Sequence, residues 1–332
     1  MDRNVYSVRS FVDPDYEAEA RIDFEVDPEF AHTAEEIRHW TEAGAAVPGR
    51  LNLKFVVEDR SSNAVVAYGA LQHSGSSYHP QKFWVGLGVE IAHRHQGIGK
   101  ELYALLEREA VARSVLCLWS SARDDDTRSV RFLAQQGFVP RRKTWLSRLD
   151  VATANLGGVP DRSKALSDRG IRFSTVQEEG AADPQVRKGL YRLSTLAAAD
   201  IPRLGEFTPV MFEEFAAFDL DGPGSIPEGT FVARKGSEFV GMSSLEREKA
   251  RPDTLLVGFT GTHPEYRGLG IASELKRRAV VFARDRGYRY LVTANDSLNR
   301  PIWAINERLG FRQQVTWVQA EKTFAPAVPQ RG

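Results

Sequence analysis

Val89-Glu90-Ile91-Ala92-His93-Arg94-His95-Gln96-Gly97-Ile98-Gly99-Lys100-Glu101-Leu102 and Thr262-His263-Pro264-Glu265-Tyr266-Arg267-Gly268-Leu269-Gly270-Ile271-Ala272-Ser273-Glu274-Leu275 are the two stretches that decide how this chain is read. Each ends a β-like run, passes through a basic, glycine-containing turn and opens a helical pattern. Each reaches a Gly-Phe pair at the same distance, Gly97 to Gly137 and Gly270 to Gly310. A repeated turn with a repeated offset marks two copies of one domain. The shared pattern is Arg-x-x-Gly-x-(Gly or Ala).

The turn has a physical logic. A strand-to-helix junction aims several backbone N–H groups, unpaired within the helix, at one spot. The helix dipole adds about half a positive charge there. Glycines let a diphosphate approach the backbone, and Arg94 or Arg267 supplies fixed charge. Two other phosphate loops are excluded. Gly99-Lys100 is followed by Glu101 and lacks the earlier glycine of a P-loop, and Leu102 and Ser273 stand where a dinucleotide fingerprint needs its last glycine.

At these residues the chain resembles the GNAT acetyltransferase superfamily, whose diphosphate motif is (Gln/Arg)-x-x-Gly-x-(Gly/Ala). Arg94, Gly97 and Gly99 match it in the first copy, and Arg267, Gly270 and Ala272 in the second. The resemblance implies acetyl-CoA as cosubstrate. In the first copy it would lie along Val89, Ile91, Arg94, His95, Gln96, Gly97, Ile98, Gly99 and Lys100. In the second it would lie along Thr260, Thr262, Arg267, Gly268, Leu269, Gly270, Ile271 and Ala272, with Asn299 at the family's coenzyme-contacting asparagine position. His93, beside Arg94, would add to the phosphate surface.

The resemblance also implies an amine acceptor and N-acetyltransferase activity by direct attack. The chain departs from the family in two places. Asn306 stands where many members carry the tyrosine that protonates the departing thiolate, and the first copy has Asp126 and Leu133 at the positions of Asn299 and Asn306. Asp126 continues the acidic run Asp124-Asp125, a poor neighbour for a diphosphate, so the second copy is the expected active one. Neither motif strand carries an acid. Glu246, just after a neighbouring strand, is the candidate base, with Glu248, Asp253, His73 and His79 as lesser ones. Two alternatives stand: one active copy beside a structural one, and a non-catalytic, coenzyme-binding regulatory protein.

Composition bounds the rest. The 332 residues suffice for two domains, and 42% apolar with 27% charged residues is a globular composition. Lys plus Arg equals Asp plus Glu at 44 each, so no basic field points to nucleic acid or an anionic membrane. The single Cys117 excludes an internal disulfide; it sits in a strand-like run and is read as packing. No His, Cys and Asp cluster has metal-ligand spacing. The N-terminus lacks the apolar run of a signal peptide, no stretch approaches about 20 apolar residues, and the expected location is cytoplasmic.

The expected fold is α+β, two tandem domains, each a mixed, splayed sheet flanked by helices. Residues 1–150 form the first, 151–169 a linker, 170–325 the second and 326–332 a tail. Phe138 to Leu149 and Phe311 to Ala320 are expected to close their own sheets. Thr33 and Glu36 form a capping-box pattern ahead of a helix.

Overall fold

The computed structural model describes residues 1–30 and 32–325; the expected tail, 326–332, lies outside the described residues. The first half runs β1 (Tyr6–Ser10), α1 (Asp15–Val26), α2 (Ala34–Ala45), β2 (Asn52–Asp59), β3 (Ala64–Gln72), β4 (Lys82–Val89), α3 (Ile98–Val111), β5 (Cys117–Arg123) and α4 (Thr127–Gln135). There follow β6 (Val139–Asp150), α5 (Ser163–Ser167), β7 (Ile171–Thr175), α6 (Val176–Glu179), α7 (Pro184–Ala198), α8 (Phe212–Phe215), β8 (Phe231–Lys235) and β9 (Glu238–Arg247). The chain ends with β10 (Thr254–Thr262), α9 (Ile271–Asp285), β11 (Tyr290–Asp296), α10 (Arg300–Leu309) and β12 (Arg312–Thr323).

Two compact units form. The first takes Met1–Arg142, Leu204–Thr208 and the chain from Trp317, and the second takes Lys143–Arg203 and Pro209–Thr316. In the first unit β1 to β4 pair antiparallel, and β4 then runs parallel to β5. Helix α3 buries Ile98, Leu102 and Leu106 against Val57, Leu71 and Phe83. Each such side chain contributes about 1.5–3 kcal/mol of burial. The Thr33–Glu36 capping box starts α2 as expected.

The second unit repeats the plan: β7, β8, β9 and β10 pair antiparallel and β10 runs parallel to β11. Leu275, Ala279 and Val280 of α9 pack on Ala233, Val240 and Leu255. Val151, Val159 and Leu166 belong to the same core, so the stretch expected as a linker is packed chain.

The closing strands overturn an expectation. Thr144–Asp150 of β6 pairs antiparallel with β11 in the second unit, and Trp317–Thr323 of β12 pairs antiparallel with β5 in the first. Each half's last strand therefore does not close the sheet of the half it ends. β5 and β11 each have a parallel neighbour on one side and need a partner on the other, because a bare edge leaves a row of unpaired N–H and C=O groups. Either strand's alternation satisfies that need, so the pattern does not say which strand goes where. Burial decides: Leu149 enters the second unit's core and Ala320 the first's.

Candidate functional site

In the second unit β10 runs beside β11 only over Thr254–Leu256, opposite Tyr290–Val292. The strands then part. At that point β10 bulges against β9, with Val257 facing Leu245 and Thr260 facing Ser243, so that Gly258 and Phe259 together oppose Ser244. Two residues against one leaves a backbone position out of the ladder. Glu246 lies within β9 rather than after it. Its Oε1 and the Oγ of Ser244 fill the space that a Cβ on Gly258 would need. The candidate base therefore stands over the bulge where the sheet opens. Ser244 Oγ is buried there with no hydrogen-bond partner among the described residues.

The opening leads to the turn. Gly268 and Gly270 hold left-handed φ angles of +76° and +90°. Gly270 caps α9, and the first bond into that helix runs from Glu274 N–H to Gly270 O. The N–H groups of Ile271, Ala272 and Ser273 precede the helical ladder. Arg267 folds back, Nε donating to Thr262 O at 3.3 Å, and its guanidinium pairs with Asp200.

These parts border a cleft of about 750 Å³. Thr260, Thr262, Arg267, Gly268, Gly270, Ile271, Ala272 and Asn299 all line it. Leu269 does not, because it packs against the hydrophobic core. Asn299 is the N-cap of α10 but makes no capping bond with its side chain. Thr262 Oγ1 is buried without a partner among the described residues. Asn306 is wholly buried, its Nδ2 donating to Asn295 Oδ1 at 2.6 Å, and Asn295 in turn donates to Ser147 Oγ at 2.9 Å. An amide fixed in that chain of bonds is no proton donor for a leaving thiolate.

The first unit has the same turn in different chemistry. Val89 ends β4, but Ile91 lies beyond the strand in a 3-10 turn and is exposed. Arg94 Nε donates to Val89 O at 3.1 Å, as Arg267 does to Thr262. His95 takes a left-handed φ of +66° where the second copy has Gly268, a conformation unfavourable for a side chain. Gln96 Oε1 accepts from Tyr6 Oη at 2.7 Å, and His93 Nδ1 lies 3.0 Å from the same hydroxyl. Gly97 caps α3, and a Cβ there would meet the Met1 nitrogen at 2.7 Å. Ile98 is buried in the core, Gly99 lies against Leu87 and Val89, and Lys100 is exposed.

Three differences set this copy apart. The register between β3 and β4 runs unbroken from Ala67–Val89 to Gln72–Trp84, so the motif strand has no bulge. Ala67 pairs with Val89 as Gly241 does with Thr262, and five residues further along those strands Gln72 occupies the place of Glu246. Asp126 caps α4, accepting from Ser129 Oγ at 2.7 Å. Burial would raise its pKa, but the bonds from Ser129 and Arg128 and the nearby Arg94 hold it below the usual carboxylate value. A fixed negative charge therefore sits beside the motif arginine. Cys117 is buried, and burial pushes its thiol up to about 12, which suits packing and not nucleophilic work.

The sequence profile of the acetyltransferase (GNAT) family matches residues 10–138 and 193–311. The chain belongs to this family. An N-alpha-acetyltransferase 30 from Schizosaccharomyces pombe is 31% identical over 87 residues, 26% of this chain and 58% of that protein. The chain thus spans little more than half the length of that curated relative. A GCN5-related N-acetyltransferase from Sphaerobacter thermophilus superposes with a TM-score of 0.68 at 20% identity, over 97% of both chains. A tandem GNAT protein from the clavulanic acid biosynthesis pathway gives 0.70 at 20% identity, over 97% of this chain and 100% of that one. The fold is a tandem GNAT fold, α+β with mixed sheets.

Within this GNAT protein the cleft also takes residues that the motif does not announce. Asp200 and Ile201 come from just beyond α7, Arg308 from α10, and Val159, Pro160 and Arg162 from the stretch expected as a linker. Glu246 stands at the bulge and not among the residues that line the cleft; Glu248 and Asp253, the lesser candidates, do not line it either, and His73 stacks on Phe83 with ring centroids 4.7 Å apart. Among the described residues no group of three or more His, Cys, Asp or Glu side chains is placed to hold a metal ion. No helix among them is long and apolar enough to cross a membrane.

Proposed function

We propose that the second copy is an N-acetyltransferase that moves an acetyl group from acetyl-CoA to an amine by direct attack, and that the first copy is structural. One observation carries this reading. The second motif strand bulges under the Glu246 carboxylate where the sheet opens, and the first has neither bulge nor acid.

The residues present suit the cosubstrate. Gly268 and Gly270 leave the turn open to a diphosphate, Arg267 and the free N–H groups of Ile271–Ser273 favour negative charge, and the unpartnered Thr262 hydroxyl suits a pantetheine amide. Bound acetyl-CoA supplies an acetyl thioester whose thiol leaving group has a pKa of about 8.5. Glu246 takes the proton that an acceptor ammonium must lose before it attacks. The bulge at Gly258 and Phe259 offers a backbone N–H to a developing oxyanion. Asn306 supplies no proton, which slows departure of a thiolate without forbidding it. No covalent enzyme intermediate is required, since no activated Ser or Cys faces the opening among the described residues.

The likeness to a protein named for N-alpha acetylation supports an amine acceptor. Functionally the boundaries stay those of the repeat, residues 1–150 and 170–325 joined by 151–169, although the strand partners are exchanged.

The test is acetyl-CoA turnover against a panel of small amines, lysine peptides and peptides with free N-termini. We expect turnover that Glu246→Gln depresses and Gln72→Glu leaves unchanged. Tight acetyl-CoA binding with no turnover on any amine would instead favour the regulatory alternative.

A further inference from the structure

Gly270 has a second neighbour besides any ligand. An added Cβ would meet Arg162 Cδ at 2.5 Å and Nε at 2.8 Å, so the Arg162 side chain lies across the diphosphate turn. It is held there by its own stretch of chain. Glu274, one helical turn beyond Gly270 and wholly buried, accepts from Arg162 N at 3.3 Å and from Ser163 Oγ at 2.8 Å. Arg277 joins Glu274 to Asp161 at 2.9–3.1 Å. These bonds fasten residues 161–163 to the first turn of α9.

The Arg162 guanidinium itself makes no ion pair among the described residues, and it lines the same cleft as Arg267. The motif arginine, by contrast, is engaged by Asp200. A lone guanidinium resting on an N-cap glycine, beside N–H groups that precede the helical ladder, is arranged to fork onto phosphate oxygens.

We infer that Arg162, supplied by the stretch between the two copies, is a diphosphate-binding residue of the second copy. This rests on the acetyl-CoA reading above. On this view Gly270 is glycine for two reasons: its left-handed backbone, and the room it leaves for Arg162.

Calorimetric titration of the full chain with acetyl-CoA and with acetyl-dephospho-CoA, which keeps the diphosphate and lacks the ribose 3′-phosphate, tests the assignment. Arg162→Ala should weaken both ligands by the same factor, about tenfold to a hundredfold, the loss of one charge-assisted contact. Arg162→Lys should recover part of it, because a lysine keeps the charge without the fork. The Arg162 side chain is exposed, so the melting temperature should not move; the pairing of Ser163 with Glu274 is untouched. Unchanged affinity in Arg162→Ala, or a loss confined to acetyl-CoA, would overturn this inference alone. Failure of the unmodified chain to bind either ligand would overturn the acetyl-CoA reading and this inference with it.

Discussion

A base that must strip an ammonium near neutral pH needs a position at the reacting centre before it needs a tuned pKa. On the proposed reading that position is the bulge, where Glu246 is half-buried on β9 with its carboxylate over Gly258. Glu246→Gln keeps the shape and removes the basicity. We expect kcat to fall by about 10²–10⁴ with acetyl-CoA affinity unchanged, and equal kcat values would remove Glu246 from the mechanism. Gly270 makes the complementary case. A side chain there meets both a left-handed φ of +90° and Arg162, and Gly270→Val should abolish acetyl-CoA binding measured by calorimetry. Gly97→Val, at the first copy's turn, should leave that binding intact; the reverse pattern would exchange the roles of the copies. Arg267, Gly268 and Gly270 were legible in the sequence because the chemistry demands those residue types at that spacing. Arg162 was not, because what brings it to the turn is Glu274, more than a hundred residues away and silent in any local pattern.

Elements carry what single residues cannot. Most helices and strands declare themselves by period, and the capping box at Thr33 marked one boundary outright. The β10 bulge did not, since a bulge is a relation between two strands and neither sequence alone contains it. Packing of α1 on β3 was equally hidden, and it has a pH signature. Burial pushes the Asp23 carboxyl on α1 from 3.8 up to about 7, with the Tyr68 hydroxyl of β3 donating to it and opposing part of the rise. A carboxyl whose pKa rises on folding holds its proton longer in the native state. Its contribution is therefore present below the unfolded value and is lost as pH climbs from about 4 to about 7. The full shift corresponds to at most about 4 kcal/mol. Thermal melts of the unmodified chain should show the first unit losing stability over that window. Asp23→Asn, which still accepts from Tyr68, should flatten the slope and raise the melting temperature at pH 8. A slope that persists in the variant would place the titration elsewhere.

At the scale of the whole molecule, the duplication was visible because each copy must repeat the same turn at the same distance from its Gly-Phe pair. The destination of the closing strands was not, because their alternating patterns fit either sheet. Trp317–Thr323 is tied to the first unit by more than its ladder. Trp317 Nε1 donates to Asp27 at 2.7 Å, Glu321 accepts from Trp119 Nε1 at 3.0 Å, and Lys322 lies 3.3 Å from the Tyr103 hydroxyl. Every residue lining the cleft of the second unit, in contrast, falls between Val159 and Arg308. Ending the chain after Thr316 therefore strips β5 of its antiparallel partner and leaves the cleft's residues in place. We expect the amides of β4 and β5 to lose hydrogen-exchange protection in the shortened chain, while those of β10 and β11 keep theirs and acetyl-CoA still binds. Had each half closed its own sheet, the same cut would instead bare β11, so that protection falls in the second unit and binding fails with it. The two arrangements predict opposite halves of one exchange map.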